Sequence, residues 1–285
     1  MRPSYLQPEA LQTFIRTALA EDIGPGDYSS LAAIPAETQG KANLLIKESG
    51  ILAGMELAGM IFTAVDPRLT VTFFKKDGDP VEVGDIGLSV AGPAASILSA
   101  ERLVLNCLQR MSAIATKTHR LSALIAHTSA KLLDTRKTTP NFRLAEKWAV
   151  HIGGGTNHRF ALYDRVMLKD NHVDFAGGIK EAILRTQAYL QENKLSLAIE
   201  VETRTLKEVE EVLAVGGIDC IMLDNMDIPT LKEAVKLVGG RFPLEASGGI
   251  TELNLVAIAE CGVDFISMGA LTHAVKSLDL SLKAY

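Results

Sequence analysis

Residues 197–225 read Leu197-Ala-Ile-Glu-Val-Glu-Thr-Arg-Thr-Leu-Lys-Glu-Val-Glu-Glu-Val-Leu-Ala-Val-Gly-Gly-Ile-Asp-Cys-Ile-Met-Leu-Asp-Asn225, and their rhythm decides the fold. Leu197–Val201 is a mostly apolar run of β type that ends in Glu-Val-Glu. Leu206–Ala214 then repeats apolar residues at helical spacing, and after two glycines Cys220–Leu223 returns as a second strand before Asp224-Asn225. Strands buried on both faces and joined by a helix form the parallel β–α–β unit. The same unit recurs on either side. Upstream, Lys131–Leu133 precedes Asp134-Thr-Arg-Lys137, and Arg165–Leu168 precedes Lys169-Asp-Asn-His172. Downstream, a helical stretch over Ile228–Leu237 leads to Pro243–Ala246 before Ser247-Gly-Gly249, and Asp264–Ser267 precedes Met268-Gly-Ala270. Runs that all end in polar or glycine-rich residues favour an α/β barrel, where catalytic groups gather at the C-terminal ends of the strands. An open doubly wound sheet would concentrate its ligand groups at one switch point.

The chain ahead of these units has a different texture. Leu11, Phe14, Ile15, Ala18 and Leu19 follow helical spacing, with Pro8 suited to the first turn and Gly24 just past the end. From Lys41 to about Gly92, β-type runs (Ala42–Lys47, Val71–Phe74, Leu88–Val90) alternate with turns, and helical spacing returns at Ile97, Leu98, Leu105 and Leu108. This predicts a small α+β domain over residues 1–112, a barrel over 113–273, and a tail, 274–285, whose alternating Leu278, Leu280 and Leu282 return as a strand to the first domain. Cys107, Cys220 and Cys261 lie in apolar runs without metal-like spacing and read as reduced, buried thiols. With no signal-peptide core at the amino terminus and no apolar stretch of membrane length, the expectation is a cytoplasmic protein without a membrane partner.

The chemistry concentrates between Lys131 and His172, where basic residues outnumber acidic ones although the whole chain carries a net charge of −5. A positive island in an acidic chain suits small anions, since like-signed walls focus the field on a negative ligand. It does not suit nucleic acid, which calls for a basic face on a basic domain. Arg136 offers a planar fork for a carboxylate, and Lys137 a mobile point charge for phosphate; His158, Arg159 and Lys169 lie at neighbouring strand ends. Glu200 and Glu202 are two apart and so share one side of a strand, and Asp224 ends the next. These carboxylates read either as internal counter-ions or as ligands for Mg²⁺ and sugar hydroxyls. Ser247-Gly-Gly249 and Gly269-Ala270 follow the last two strands, where barrels often hold phosphate. His119, His127 and His151 fall in helical segments. No Gly-x-Gly-x-x-Gly or Walker pattern supports a dinucleotide or P-loop function.

Asp134-Thr-Arg-Lys-Thr-Thr-Pro140, Gly153-Gly-Gly-x-Asn-His-Arg159 and Leu168-Lys-Asp-Asn-His172, in this order, resemble the quinolinate phosphoribosyltransferase family. Further matches are Glu21-Asp-x-Gly-x-Gly-Asp27, Glu101-Arg-x-x-x-Asn106-x-x-Gln109, Glu200-Val-Glu202, Leu223-Asp-Asn225, Ser247-Gly-Gly249 and Gly269-Ala-Leu-Thr-His273, so the resemblance spans essentially the full length. One departure is Asn141-Phe142, where the family usually carries Gly-Leu.

The resemblance implies an incomplete, TIM-like α/β barrel with a smaller amino-terminal α+β sandwich domain. It also implies a homodimer in which Arg102 crosses to the partner's site, with further assembly to a hexamer left open. The implied reaction joins quinolinate to phosphoribosyl pyrophosphate with Mg²⁺, giving nicotinate mononucleotide, pyrophosphate and CO₂ in de novo NAD biosynthesis. Carried over by motif, Arg102, Arg136, His158, Arg159 and Lys169 would hold quinolinate. Thr135, Lys137, Glu202, Asp224, Ser247, Gly248, Gly249, Met268, Gly269 and Ala270 would hold the phosphoribosyl donor, with Lys137, Lys169, Glu202 and Asp224 as the catalytic set, Mg²⁺ at Glu202 and Asp224, and Glu200 and His273 in support. Two other readings compete. A paralogue from molybdenum-uptake operons shares the fold, but the intact Lys169-Asp-Asn-His172 favours quinolinate. A Schiff-base aldolase would use Lys169 as its amine.

Overall fold

The structure, a computed structural model, describes residues 2–285. Helix α1 (Pro8–Asp22) starts with its proline in the first turn and buries Leu11 and Ile15. Helix α2 (Tyr28–Ala33) is capped by Asp27, whose carboxylate accepts the Ser30 N–H. Then come β1 (Gln39–Ile46), β2 (Gly50–Ile51), α3 (Met55–Val65), β3 (Thr70–Phe73), β4 (Pro80–Val81), β5 (Ile86–Pro93) and the long helix α4 (Ala94–Leu124). Helix α3 interrupts what the sequence presents as a run of strands. Its first turn is capped from a distance: the Asp77 carboxylate accepts the N–H groups of Gly54, Met55 and Glu56, a tertiary contact that local sequence does not announce.

Beyond α4 the strands and helices alternate: β6 (Lys131–Leu133), α5 (Arg143–Ile152), β7 (Val166–Leu168), α6 (Asp170–Ala176), α7 (Ile179–Glu192), β8 (Ile199–Thr203), α8 (Leu206–Val215), β9 (Cys220–Asp224), α9 (Ile228–Val238), β10 (Leu244–Ser247), α10 (Glu252–Ala259) and β11 (Phe265–Ser267). Side-chain caps at Thr205 and Asp227 start α8 and α9. The short α11 (Ala270–His273) and the final strand β12 (Leu280–Ala284) follow. The six strands β6 to β11 form one parallel sheet in the order β6-β11-β10-β9-β8-β7. The first strand therefore lies beside the last, as in a barrel, and β6 and β7 do not pair, so the barrel is incomplete. Thr156 bridges in parallel to Leu133 and extends the sheet on the open side of β6.

Strands β12, β1, β5 and β3 make a separate antiparallel sheet, with Leu44 opposite Leu282 and Ile46 opposite Leu280. The chain forms two compact units. The first comprises the residues up to His119 with Thr138–Gly154 and Leu271–Tyr285, and the second comprises Arg120–Lys137 and Gly155–Ala270. The expected boundary at residue 112 thus falls inside α4, with no linker there, and α5 belongs with the first unit. The reason is a buried ion pair: Glu146 on α5 is fully buried and accepts two hydrogen bonds from Arg110 on α4. Arg110 also donates to the Thr272 and Val275 carbonyls, and Glu146 accepts the Thr139 N–H and hydroxyl.

One reading of a single residue changes. His127 lies in a turn beyond α4 rather than in a helix, paired with Glu260. Asn141, where the resembled family carries glycine, has φ +61°, a conformation that Asn tolerates better than most side chains. All three cysteines are free and buried, and among the described residues no helix is long and apolar enough to cross a membrane.

The triple glycine at 153–155 has a packing role at its first member. A Cβ on Gly153 would meet the Ala115 carbonyl oxygen at 2.5 Å and Thr118 Cβ at 2.8 Å, both on α4. Gly153→Ala is therefore expected to cost about 1–3 kcal/mol by overpacking, seen as a lower midpoint in chemical denaturation.

Candidate active site at the strand ends

Laterally paired residues of a parallel sheet point to one face, so the register sorts the side chains. Glu200 pairs with Met167 and Cys220, Glu202 and Glu245 both pair with Met222, and Asp224 pairs with Ser247. One face thus carries Glu200, Glu202, Asp224, Glu245 and Ser247. On this face Glu200 and Glu245 are fully buried and Glu202 nearly so. Burying ionised carboxylates costs several kcal/mol each unless partners compensate, so the partners explain the site.

Glu200 is the hub of a lower layer. Its Oε2 lies 3.0 Å from His158 Nε2 and 3.1 Å from Arg165 Nη1. Glu245 Oε2 lies 3.3 Å from the same His158 nitrogen. Burial favours the neutral form of Glu200, but His158 and Arg165 outweigh it and hold its pKa below the usual value. Burial, with the Glu200 charge, pushes Glu245 the other way, above the usual value. Burial also opposes charge on the imidazole, yet the two glutamates prevail and raise His158 from 6.5 to about 9. The Arg159 nitrogen lies 2.6 Å from His158 Nδ1, so Nε2 is the ring nitrogen that faces the carboxylates. Fully buried Asp134 completes the frame, accepting the His158 N–H at 2.8 Å and the Asn157 amide at 2.6 Å.

An upper layer faces outward. Lys169, the residue before α6, has its Nζ 3.6 Å from Glu202 Oε2 and about half of its side chain exposed. Its N–H donates to His172 Nδ1 in the capping turn of α6. Burial raises the Glu202 pKa, Lys169 opposes that, and Asp224 adds to it. Arg159 is half-buried, and both burial and the like charge of Arg136 lower its pKa. A guanidinium kept dry beside a second cation has spare positive potential for an anion. Arg159 is held by a hydrogen bond from Nη1 to the Arg165 carbonyl at 3.2 Å. The loop between them is tied by Asp164, which accepts the N–H groups of Phe160 and Ala161.

The residues expected on the phosphate side occupy the remaining strand ends. Thr135 Oγ1 accepts the Lys137 N–H, which shapes the turn that carries Arg136 and Lys137. Gly248 has φ +85°, and a Cβ there would come within 2.3 Å of Asn225 Oδ1, so only glycine lets these two strand-end loops meet. Asn225 donates its N–H to the Ser247 carbonyl and its amide to Asp224.

Two members differ from expectation. His158 is buried with both ring nitrogens turned to protein groups, so it supports the site from beneath instead of presenting a nitrogen to a ligand. Met268 is a core side chain whose N–H bonds to the Leu133 carbonyl, because β11 continues its pairing to that residue. His273 and Arg102 are exposed on α11 and α4, in the first unit. Glu245 and Arg165 went unassigned in the sequence, although a glutamate inside the apolar Pro243–Ala246 run was a visible signal.

The family model for the C-terminal domain of quinolinate phosphoribosyl transferase matches residues 114–283, and that for its N-terminal domain matches residues 14–112. The chain belongs to the quinolinate phosphoribosyltransferase family. Relatives include the tobacco quinolinate phosphoribosyltransferase [decarboxylating] 2b, named as mitochondrial, at 49% identity over 96% of this chain and 82% of that one. Another is the nicotinate-nucleotide pyrophosphorylase [carboxylating] of Arabidopsis thaliana, named as chloroplastic, at 49% identity over 96% of this chain and 82% of the relative. The crystal structure of NadC from Streptococcus pyogenes superposes with a TM-score of 0.91 at 40% identity, covering 99% of this chain and 98% of that one.

The raised His158 pKa has a consequence for stability. A group whose folded pKa exceeds its unfolded value stabilises the fold below the unfolded pKa and loses that contribution as pH rises through the folded one. The denaturation midpoint is therefore expected to fall between pH 6.5 and about 9, and His158→Gln should flatten that part of the profile.

Proposed function

We propose that the protein transfers the phosphoribosyl group of phosphoribosyl pyrophosphate to the ring nitrogen of quinolinate and releases CO₂ and pyrophosphate, forming nicotinate mononucleotide in de novo NAD biosynthesis. The observation that carries this reading is the apposition of Arg136 and half-buried Arg159 at adjoining strand ends, in a chain of this family. Two guanidiniums that repel each other when empty are relieved by a ligand bearing two carboxylates. Lys169 adds a third cation, and Arg102 is proposed to enter from a second copy of the chain in a homodimer. Lys137, Ser247, Gly248, Gly249, Gly269 and Ala270 are proposed to hold the phosphoribosyl donor, and cytoplasmic operation is part of the same proposal.

Displacement of pyrophosphate builds positive character on the anomeric carbon. Glu202 and Asp224 are suited to stabilise it and to fix the sugar hydroxyls. The same pair is proposed to hold Mg²⁺. Two nearby carboxylates, one with a raised pKa, fit a divalent cation that would keep both ionised. When bound, the ion would supply charge compensation for the departing pyrophosphate. After the nitrogen is alkylated, the ring cation stabilises the carbanion left by CO₂, and that carbon takes up one proton to give nicotinate mononucleotide. Arg136, Arg159 and Lys169 hold the reacting dicarboxylate in register through these steps, and no covalent nucleophile is required.

Quinolinate, phosphoribosyl pyrophosphate and Mg²⁺ supplied together should yield nicotinate mononucleotide and CO₂, and turnover of nicotinic acid in place of quinolinate would overturn the reading. Arg159→Ala is expected to remove a charged hydrogen bond of about 1.5–3 kcal/mol, raising the KM for quinolinate roughly 10- to 150-fold with a smaller change for the phosphoribosyl donor. For the dimer, mixing inactive Arg102→Ala with inactive Lys169→Ala chains should restore about a quarter of wild-type activity if half the subunits form mixed pairs and each pair has one intact site. No restoration after verified subunit exchange would remove Arg102 from the partner's site.

A further inference from the structure

The Arg110–Glu146 pair reaches further than the packing of α5 on α4. Glu146 stands in the first turn of α5 and is fully buried. Its Oε1 accepts from Arg110 Nε at 3.0 Å, from Arg110 Nη2 at 2.9 Å and from the Thr139 hydroxyl at 2.9 Å. Its Oε2 accepts the Thr139 N–H at 3.0 Å. A buried carboxylate with these partners is a stiff anchor, because any departure strands charge away from water. Arg143, three residues earlier on the same side of α5, donates from Nε to Thr138 Oγ1 at 2.9 Å. The turn that follows Arg136-Lys137 is thus fastened to α5 at both threonines.

The same guanidinium holds a second turn. Arg110 Nη1 donates to the Val275 carbonyl at 2.9 Å, and Nη2 donates to the Thr272 carbonyl. Lys117, about two turns further along α4, adds its Nζ to the Ala274 carbonyl at 2.8 Å. These carbonyls lie at the end of α11 and just beyond it, where unpaired C=O groups favour cations. A lysine at 110 could neutralise Glu146 but could not also reach two carbonyls, since it lacks the planar fork.

Thr139 stands two residues after Lys137, and Thr272 two residues after Ala270. Lys137 and Gly269-Ala270 are groups proposed for the phosphoribosyl donor, so the pair anchors the chain beside both. A polyphosphate gripped at two strand-end loops needs them at a fixed separation, and a displacement of about 1 Å can cost about a hundredfold in rate. We propose that Arg110 and Glu146 are positioning residues for the phosphoribosyl-donor end of the site: a single buried ion pair that ties the turn after Lys137 and the turn after Ala270 together, so that neither loosens without the other. This rests on the phosphoribosyl reading of that end. A pair that served only to pack α5 on α4 would need none of the contacts to Thr139, Thr272 and Val275.

The test uses the full chain with substitutions at each end of the link. Arg110→Lys keeps a charge against Glu146 and gives up the fork to Thr272 and Val275. Thr139→Val gives up the hydroxyl bond at the other end. Each should raise the KM for phosphoribosyl pyrophosphate about fivefold, and by at least about twice the rise for quinolinate, as expected for a lost hydrogen bond. Thr139→Ser keeps the hydroxyl and should stay within about twofold of wild type. The double variant should fall well short of the product of the single rises, because either change breaks the same link. Rises that multiply, equal changes in both KM values, or a Ser variant as impaired as Val would overturn the proposal. Backbone hydrogen exchange of the substrate-free protein separates it from the functional reading. Thr139→Val should speed exchange about threefold or more over residues 271–278, and Arg110→Lys should do so over 135–139. Acceleration confined to 135–139 in the first variant, or to 271–278 in the second, sinks the proposal whatever the enzyme turns over. A wild type that ignores phosphoribosyl pyrophosphate, with exchange linked as expected, overturns the donor role and keeps only the coupled turns.

Discussion

Carboxylates buried on the inward face of a parallel sheet must be compensated from within, and the rest of the site depends on how this is done. Glu200 and Glu245 are shut away from water at 0% exposure, where water cannot screen an error of even one charge. The compensating groups come from segments far apart in the chain: His158 and Arg165 from either end of one loop, with Asp134 below them. Each is held at hydrogen-bonding or ion-pair distance, so the floor of the site has little freedom to relax. Rigid support of this kind is what catalysis by positioning requires, since a displacement of about 1 Å in a binding group can cost about a hundredfold in rate.

The two layers differ in charge closure. Below, each cation answers an acid within the protein. Above, Arg136 and Arg159 press on each other, Lys137 is exposed, and Lys169 reaches Glu202 only at 3.6 Å. The excess positive charge of the upper layer is the structural expression of the basic island in an otherwise acidic chain. In the proposed reaction an anionic ligand would complete this arrangement, and Glu202 and Asp224 would supply negative charge where the sugar becomes cationic. Chemistry of this type uses field and orientation in place of a covalent nucleophile.

Much of this was legible along the chain because it follows local rules. All six apolar runs that end in polar residues form strands, and α8 and α9 lie over the stretches with helical spacing. Leu280 and Leu282 of the tail pair with β1, while Leu278 precedes the strand. What escaped was held by distant contacts. Helix α3 depends on Asp77 for its cap, and α5 joins the first unit through Glu146 and Arg110. Met268 and His158 carried the right motif, yet one N–H serves the sheet and one ring serves the buried acids. Motifs specify which residues stand at a strand end but not which way each group is engaged.

The sequence by itself determined the β–α–β rhythm, the family, and the charged residue types at each strand end, since periodicity and motif are properties of neighbours in the chain. Only the tertiary structure decided that Glu245 shares a pocket with Glu200 and His158, that Arg159 is steadied from two sides, and that Gly153 serves helix packing. Those facts depend on burial and on distances between segments separated by tens of residues. The physical reason is desolvation: a glutamate in a strand is ordinary until folding removes its water, and its protonation and partners then follow from what lies across the barrel.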